Sequence, residues 1–324
     1  MSIARSNRGI GSEVWRLKTA YITHPDCLLH DTGEGHPENA GRLQAIDDRL
    51  MAAQLYDFLR HYDAPEVTKE QLLRCHDVAY LNQVDKLMPQ NGYAHLDPDT
   101  VVSPESMQAA KRAAGAVIQA VDLIMNEGLS NAFCNVRPPG HHAEKMRTMG
   151  FCIYGNASIG AAHAMEVYGL ERVAILDFDV HHGNGSEDIF RDDRRVIVCS
   201  TFQHPFYPYT DIEESPDHII CAPLEATAKS AEFRDAVTRH WLPALNHFKP
   251  QMFFVSAGFD AHIEDDMSGV SLTEADYRWV TQQIKGLAEQ YGDGRIVSVL
   301  EGGYEPHALA RSVEAHIRVL MDLS

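Results

Sequence analysis

Val173-Ala174-Ile175-Leu176-Asp177-Phe178-Asp179-Val180-His181-His182-Gly183-Asn184-Gly185 is the stretch whose reading sets both the fold and the chemistry of this chain. Apart from two carboxylates, Val173 to Val180 is apolar and β-prone, and it reads as a buried strand. Alternate side chains of a strand share a face, so Asp177, Asp179 and His181 are expected to point the same way. A carboxylate and an imidazole two residues apart can grip one small cation. This borderline-soft pair suits zinc, with iron(II) or cobalt as substitutes. An isolated Asp-x-His is equally an ordinary hydrogen-bonded strand end, so its meaning depends on what accompanies it.

Similar apolar, β-rich runs occur at Leu17 to Thr23, Ala132 to Val136, Val196 to Thr201, Met252 to Ala257 and Ile296 to Leu300. Helical spacing lies between many of them. Pro37 to Leu55 has apolar residues three and four apart, and Ser103-Pro104 resembles an N-cap with proline at the first helical position before an Ala-rich run to Asn126. Thr273 and Asp276 resemble a capping box that opens a helix through Ala288, and His307 to Met321 reads as the closing helix.

Strands alternating with helices predict an α/β fold with a mostly parallel central sheet flanked by helices. In such sheets ligands bind beyond the carboxyl ends of the strands. Pro138 to His142, Asp177 to His182, Gly258-Phe259-Asp260 and Glu301-Gly302-Gly303-Tyr304 all fall at such ends. Four strand ends meeting at one crevice carry more weight than any one motif. No linker-like stretch, repeat or low-complexity tract interrupts the alternation. One domain over residues 1–324 is therefore expected, with 1–16 as an N-terminal extension.

Subtracting 46 acidic from 28 basic residues leaves a formal charge of −18, which opposes nucleic-acid binding because phosphate recognition needs clustered Lys and Arg. A cationic ligand would be attracted, although acidity that simply keeps a protein soluble is the plainer account. The cysteines at 27, 75, 134, 152, 199 and 221 show no CxxC spacing and read as reduced packing residues. Residues 1–16 lack an apolar signal-peptide core, and no later run approaches the ~20 apolar residues of a membrane span. A soluble, cytoplasmic protein without membrane partners is the expectation, with homo-oligomerisation left open.

Asp179 and His181 supply two metal ligands, and Asp260 is the best candidate for a third. Three protein ligands leave a position for water, as in catalytic rather than structural zinc sites. A turn after Pro-Pro-Gly can present both His141 and His142 to the crevice, where one would act as general base. Asp177 can orient one imidazole, while Asn184 can accept from the other without adding charge. Tyr304 follows two glycines and can reach in to donate to a developing oxyanion, although a buried structural tyrosine is the common alternative.

At these residues the chain resembles the histone deacetylase superfamily, including its bacterial class II-like histone deacetylase-like amidohydrolases and acetylpolyamine amidohydrolases. The resemblance runs from about Ala20 to Val319. It rests on Arg137-Pro-Pro-Gly-His-His, Gly150-Phe-Cys, Asp177-Phe-Asp-Val-His-His-Gly-Asn-Gly, Ser256-Ala-Gly-Phe-Asp and Glu301-Gly-Gly-Tyr. It implies an arginase/deacetylase-like three-layer fold with zinc on Asp179, His181 and Asp260 and the acetyl carbonyl between zinc and Tyr304. His142 would be the general base and acid, His141 its electrostatic partner, and Asp177 the holder of His141. Asn184, where other branches carry Asp, places the chain nearer the class II-like members.

The resemblance further implies that Gly150, Phe151 and Tyr207 line the acyl channel, with Met267 at its rim and Asp99 contacting substrate backbone. Tyr207 stands where phenylalanine is commoner, so that wall is expected to be more polar. Structural potassium is implied at an inner site of Asp177, Asp179, His181, Ser200 and Thr201, and at an outer one that includes Phe190, Asp193 and Val196. The implied activity is zinc-dependent hydrolysis of the acetyl amide of a primary amine, acetyllysine in a peptide or protein first and an acetylated polyamine second. Met267 replaces the glutamate that one polyamine-selective branch uses. Two more distant readings are a two-manganese ureohydrolase, whose paired Asp-x-His-x-Asp motif is broken here by Gly183, and a binding module that has lost turnover.

Overall fold

The computed structural model describes residues 18–323, so the expected extension at 1–16 and the start of the Leu17 strand lie outside the described residues. In chain order the elements are β1 (Thr19–Thr23), α1 (Gly41–Ala52), β2 (Arg60–Asp63), α2 (Lys69–Leu72), α3 (Val78–Leu87), β3 (Ala94–His95), β4 (Val101–Val102), α4 (Ser106–Glu127), β5 (Asn131–Cys134) and α5 (Asn156–Tyr168). They continue with β6 (Val173–Asp177), α6 (Asn184–Phe190), β7 (Val196–Gln203), β8 (Ile219–Leu224), α7 (Ser230–Ala236), α8 (Leu242–Phe248), β9 (Met252–Ala257), α9 (Glu274–Tyr291), β10 (Ile296–Leu300) and α10 (Pro306–Leu320).

Eight strands form one sheet in the order β2-β1-β5-β10-β9-β6-β7-β8, and every pairing in it is parallel. The apolar runs read from the sequence make up its six inner strands. The two edges, β2 and β8, escape that reading. β2 is Arg-His-Tyr-Asp, with alternate residues exposed, and β8 carries Pro223, which a sheet tolerates at its edge because one side of that strand needs no amide donors.

Helices cover both faces. α4 and α5 lie against one, where Gly160 brings α5 so close that a Cβ there would meet Val117 Cγ1 at 2.3 Å and Phe254 Cε1 at 2.9 Å. On the other, His316 of α10 contacts the Phe133 and Phe178 rings and hydrogen-bonds Ser298 of β10, and α1 and α9 pack beside α10. Burial of the Val, Ile and Phe side chains between these layers is the main favourable contribution to the fold. All six cysteines are free, and all but Cys221 are buried.

Helix starts follow their local chemistry with one shift. Asp276 accepts the Thr273 amide (3.0 Å) and hydroxyl (3.1 Å) at the start of α9, and Glu305 accepts the Ala308 amide before α10. The helix expected from Ser103 instead begins at Ser106, because the Ser103 hydroxyl accepts the Asp31 amide (3.1 Å) rather than capping α4. Among the described residues no helix is long and apolar enough to cross a membrane.

Candidate active site

The four segments singled out in the sequence follow β5, β10, β9 and β6, which are consecutive neighbours in the sheet. Because every strand is parallel, their carboxyl ends open onto one edge. One expectation needs correcting: the strand does not run to Val180 but ends at Asp177. Asp177 Oδ1 accepts the amide of Asp179 (3.1 Å), and Asp179 Oδ1 accepts the amide of His181 (2.9 Å). Two successive Asp-centred turns, not strand alternation, therefore bring Asp177, Asp179 and His181 to the same side.

Asp179, His181 and Asp260 are buried, and ligand atoms from all three lie within 4.8 Å of one another. His181 Nδ1 is 3.0 Å from Asp179 Oδ1 and 3.0 Å from Asp260 Oδ2. Asp260 Oδ1 accepts the Val180 amide (2.9 Å), yet its buried Oδ2 has no hydrogen bond of acceptable geometry. Burial first, and then the charge of Asp179, push the Asp260 carboxyl up to about 7. Burial opposes charge on His181, but its contacts with both carboxylates outweigh that and push it up to about 10. Two crowded carboxylates with an orphaned oxygen and one imidazole nitrogen fit a small divalent cation, which would relieve the repulsion that now raises Asp260.

Two glycines make the cradle. A Cβ at Gly258 would sit 2.1 Å from Asp179 Oδ2, and one at Gly302 would sit 2.3 Å from Asp260 Oδ2 and 2.5 Å from Asp179 Oδ2. The Gly302 amide donates to Asp179 Oδ2 (2.9 Å). No other residue type leaves room for both carboxylates at this depth.

The histidine pair stacks beside this cluster, ring centroids 3.9 Å apart. His141 Nδ1 donates to Asp177 Oδ2 (3.0 Å), and its Nε2 is 3.8 Å from Asp179 Oδ2. Burial disfavours its charge, but Asp179 and Asp177 together hold it well above the usual histidine range. His142 Nδ1 donates to Asn184 Oδ1 (2.7 Å), and the Asn184 amide is oriented by donating to Glu144 Oε1 (2.7 Å) and Met149 Sδ (3.2 Å). Burial, followed by the charges of His141 and His181, keeps His142 well below its ordinary value. The surroundings thus favour charge on His141 and disfavour it on His142. With Nδ1 committed to Asn184, His142 presents the lone pair of Nε2.

A cavity of about 230 Å³ opens over the site, lined by His142, His181, Tyr304, Gly150, Phe151, Phe206, Tyr207, Met267 and Asp99. Burial, then the charge of Asp260, push the Tyr304 phenol well up, so it stays protonated. A second cavity of about 330 Å³ lies between α3 and the turn at Met146–Met149, and it shares no lining residue with the first. Of the residues associated with potassium, Asp177 and Ser200 pair in register and Thr201 follows on β7. Phe190 and Asp193 carbonyls accept the amides of Asp193 and Val196, at 3.0 and 3.1 Å.

Four contributors went unremarked in the sequence. Glu301 accepts the amides of Gly140 (2.6 Å) and His141 (3.1 Å), with burial pushing its carboxyl up to about 7. Asp265 accepts the amides of Tyr304 (2.6 Å), Glu305 (3.1 Å) and Met267 (3.1 Å). Arg42, fully buried, donates to the carbonyls of Gly303 (2.6 Å) and Glu301, and its guanidinium lies 5.0 Å from the Tyr304 ring centroid. Phe206 stacks on His181, 5.4 Å between centroids. Glu301 was within a quoted motif and Phe206 beside a named residue; Asp265 and Arg42 carry no local signal, since their roles are made by contacts with distant loops.

A family model described as the histone deacetylase domain matches residues 36–320. The chain is 34% identical to a histone deacetylase-like amidohydrolase of Pseudomonas aeruginosa, over 89% of this chain and 82% of that protein. It is 33% identical to the polyamine deacetylase HDAC10 of Mus musculus, over 94% of this chain and 48% of that protein. Against type-2 histone deacetylase 2 of Dictyostelium discoideum it is 34% identical over 95% of its length but spans only 21% of that longer protein. The crystal structure of the HDA15 HD domain superposes with a TM-score of 0.88 at 32% identity, covering 95% of this chain and 90% of that one. The chain belongs to the histone deacetylase family and has its arginase/deacetylase-like fold.

Proposed function

We propose that the protein is a zinc-dependent deacetylase that hydrolyses the acetyl amide of a primary amine, acetyllysine in a peptide or protein first, an acetylated polyamine as the alternative. One observation carries this reading: His142, with Nδ1 committed to Asn184, and the Tyr304 phenol line one cavity with His181, whose Nδ1 lies against Asp179 and Asp260. Zinc held by Asp179, His181 and Asp260, or iron(II) or cobalt in its place, would polarise the acetyl carbonyl and make water reactive near neutral pH.

The protein groups then divide the work. His142 Nε2 takes the proton of the attacking water, and the charge on His141 behind it keeps that proton mobile enough to pass to the departing amine. Asp177 holds His141 in place. Tyr304 donates to the oxygen that gains charge as the carbonyl becomes tetrahedral. Phe151 and Tyr207 flank the alkyl tether, Met267 stands at the rim, and Asp99 accepts an N–H from substrate. Structural potassium at Asp177, Asp179, His181, Ser200 and Thr201, with a second ion near Phe190, Asp193 and Val196, belongs to the same proposal. So does a single catalytic domain, since one sheet draws strands from Thr19 to Leu300.

The two-manganese alternative loses support at Gly183, where a Cβ would lie 2.2 Å from Asp177 Oδ2 and leave no space for a further carboxylate. The test is zinc-loaded protein, with a chelator control, assayed on acetyllysine peptides, acetylputrescine, acetylcadaverine and acetylspermidine. Acetate release that disappears with chelation and returns with one equivalent of zinc is expected. Dependence on two equivalents of manganese, or no turnover of any substrate, overturns the reading.

A further inference from the structure

The Tyr207 hydroxyl is buried and makes no hydrogen bond of good geometry among the described residues, with the Asp99 carboxyl beside it. Tyr62 and Tyr277 share that condition, but neither lines the cavity, whereas Tyr207 forms its wall with its ring edge-on to His142 at 5.3 Å. An unpaired buried hydroxyl is costly, and a ligand that supplies its partner recovers that cost on binding. Burial first, then the charge of Asp99, push the phenol up, so the hydroxyl remains both a donor and an acceptor.

Asp99 lines the same cavity. Its Oδ1 accepts the Gly150 amide (3.0 Å) and the Thr100 hydroxyl (3.3 Å), and burial followed by contact with the Asp97 carboxyl pushes Asp99 above the usual carboxylate value. Neither Asp99 nor its neighbour Asp97 forms an ion pair among the described residues, and the cavity lining contains no Lys or Arg. Two adjoining carboxyls without a basic partner, the Tyr207 oxygen and the aromatic rings of Phe151 and Phe206 in the cavity lining together describe a receptor for a cation with N–H donors, whose charge would relieve the Asp97–Asp99 crowding.

We infer that Tyr207 and Asp99 form a subsite for a protonated amine carried on the substrate's alkyl tether, so that Tyr207 is a specificity-determining residue that favours short acetylated diamines and polyamines over neutral alkylacetamides. The ammonium donates to the Asp99 carboxylate and to the Tyr207 oxygen, and the phenolic hydrogen turns toward the carboxylate. The inference deepens the deacetylase reading and rests on it only for where the acetamide lies.

The experiment compares N-acetylcadaverine with N-hexylacetamide, in which a methyl group replaces the ammonium, on wild type, Tyr207→Phe, Asp99→Asn and the double variant. Both kcat/KM and calorimetric binding are read, and melting curves confirm that the variants fold. Wild type prefers the cation, Tyr207→Phe lowers that preference about tenfold, as loss of one hydrogen bond to a charged group predicts, and the double variant loses less than the two single changes multiplied. Equal preference in wild type and Tyr207→Phe, or an equal loss for both compounds, overturns the subsite and leaves Tyr207 a mere wall. If the preference appears in binding while zinc-loaded wild type turns over neither compound, the deacetylase reading fails and the subsite stands.

Discussion

Replacing Gly302 by alanine tests the ligand set itself. The added Cβ would lie 2.3 Å from Asp260 Oδ2 and 2.5 Å from Asp179 Oδ2, whereas ordinary contact begins at 3.4 Å. The carboxylate oxygens must therefore retreat by about 1.1 and 0.9 Å, taking 3.4 Å less each distance. Metal–ligand distances tolerate only about 0.2 Å. Gly302 is not in the left-handed region, and both struck atoms are the free ends of side chains, so the fold absorbs the change. The expected result is a metal-free protein that melts close to metal-free wild type, together with zinc affinity lowered at least ~100-fold. At a fixed, saturating free zinc concentration that weakening removes about 2.7 kcal/mol of zinc-dependent stabilisation. Competition against a chromophoric chelator and melting curves with and without zinc measure both quantities. If Gly302→Ala binds zinc as wild type does, Asp179 and Asp260 do not hold it together, and the candidate site is wrong.

Tyr304→Phe should lower kcat by about 10²–10³-fold, the usual loss of an oxyanion donor, while zinc content by metal analysis stays unchanged; equal turnover would remove Tyr304 from its assigned role. Asp265→Ala releases the amides of Tyr304, Glu305 and Met267. It should reduce kcat more than it alters KM and lower unfolding stability by about 1–3 kcal/mol in urea titrations, since buried amides lose their acceptor. His316, buried between the Thr281 and Ser298 hydroxyls, has its pKa pushed down to about 3 by burial. A histidine depressed on folding stabilises fully above its unfolded value near 6.5, and that contribution is lost as pH falls toward 3, because the unfolded chain binds the proton first. His316→Gln should therefore flatten the decline in stability between pH 6.5 and 4 by on the order of 1 kcal/mol per pH unit, and parallel wild-type and variant curves would refute this.

What could be read along the chain followed from burial. The inner strands are apolar because layers cover them on both sides, so their runs stand out, whereas β2 and β8 lie at the edges, half exposed, and look like loops. Asp-x-Asp-x-His was legible, but the reason for its convergence was not: strand alternation was expected, and Asp-centred turns past the end of β6 achieve it.

The residue types of the site, the spacing of each motif and the parallel α/β class were determined by the sequence alone, because side-chain chemistry and local periodicity are properties of neighbours in the chain. Only the tertiary structure decided that β5, β10, β9 and β6 stand side by side, that Asp265 and Arg42 grip the Tyr304 loop, and that Tyr207 and Asp99 line the same cavity. Those relations join residues far apart in the chain. Their energies come from burial and close packing, which exist only after the layers have closed.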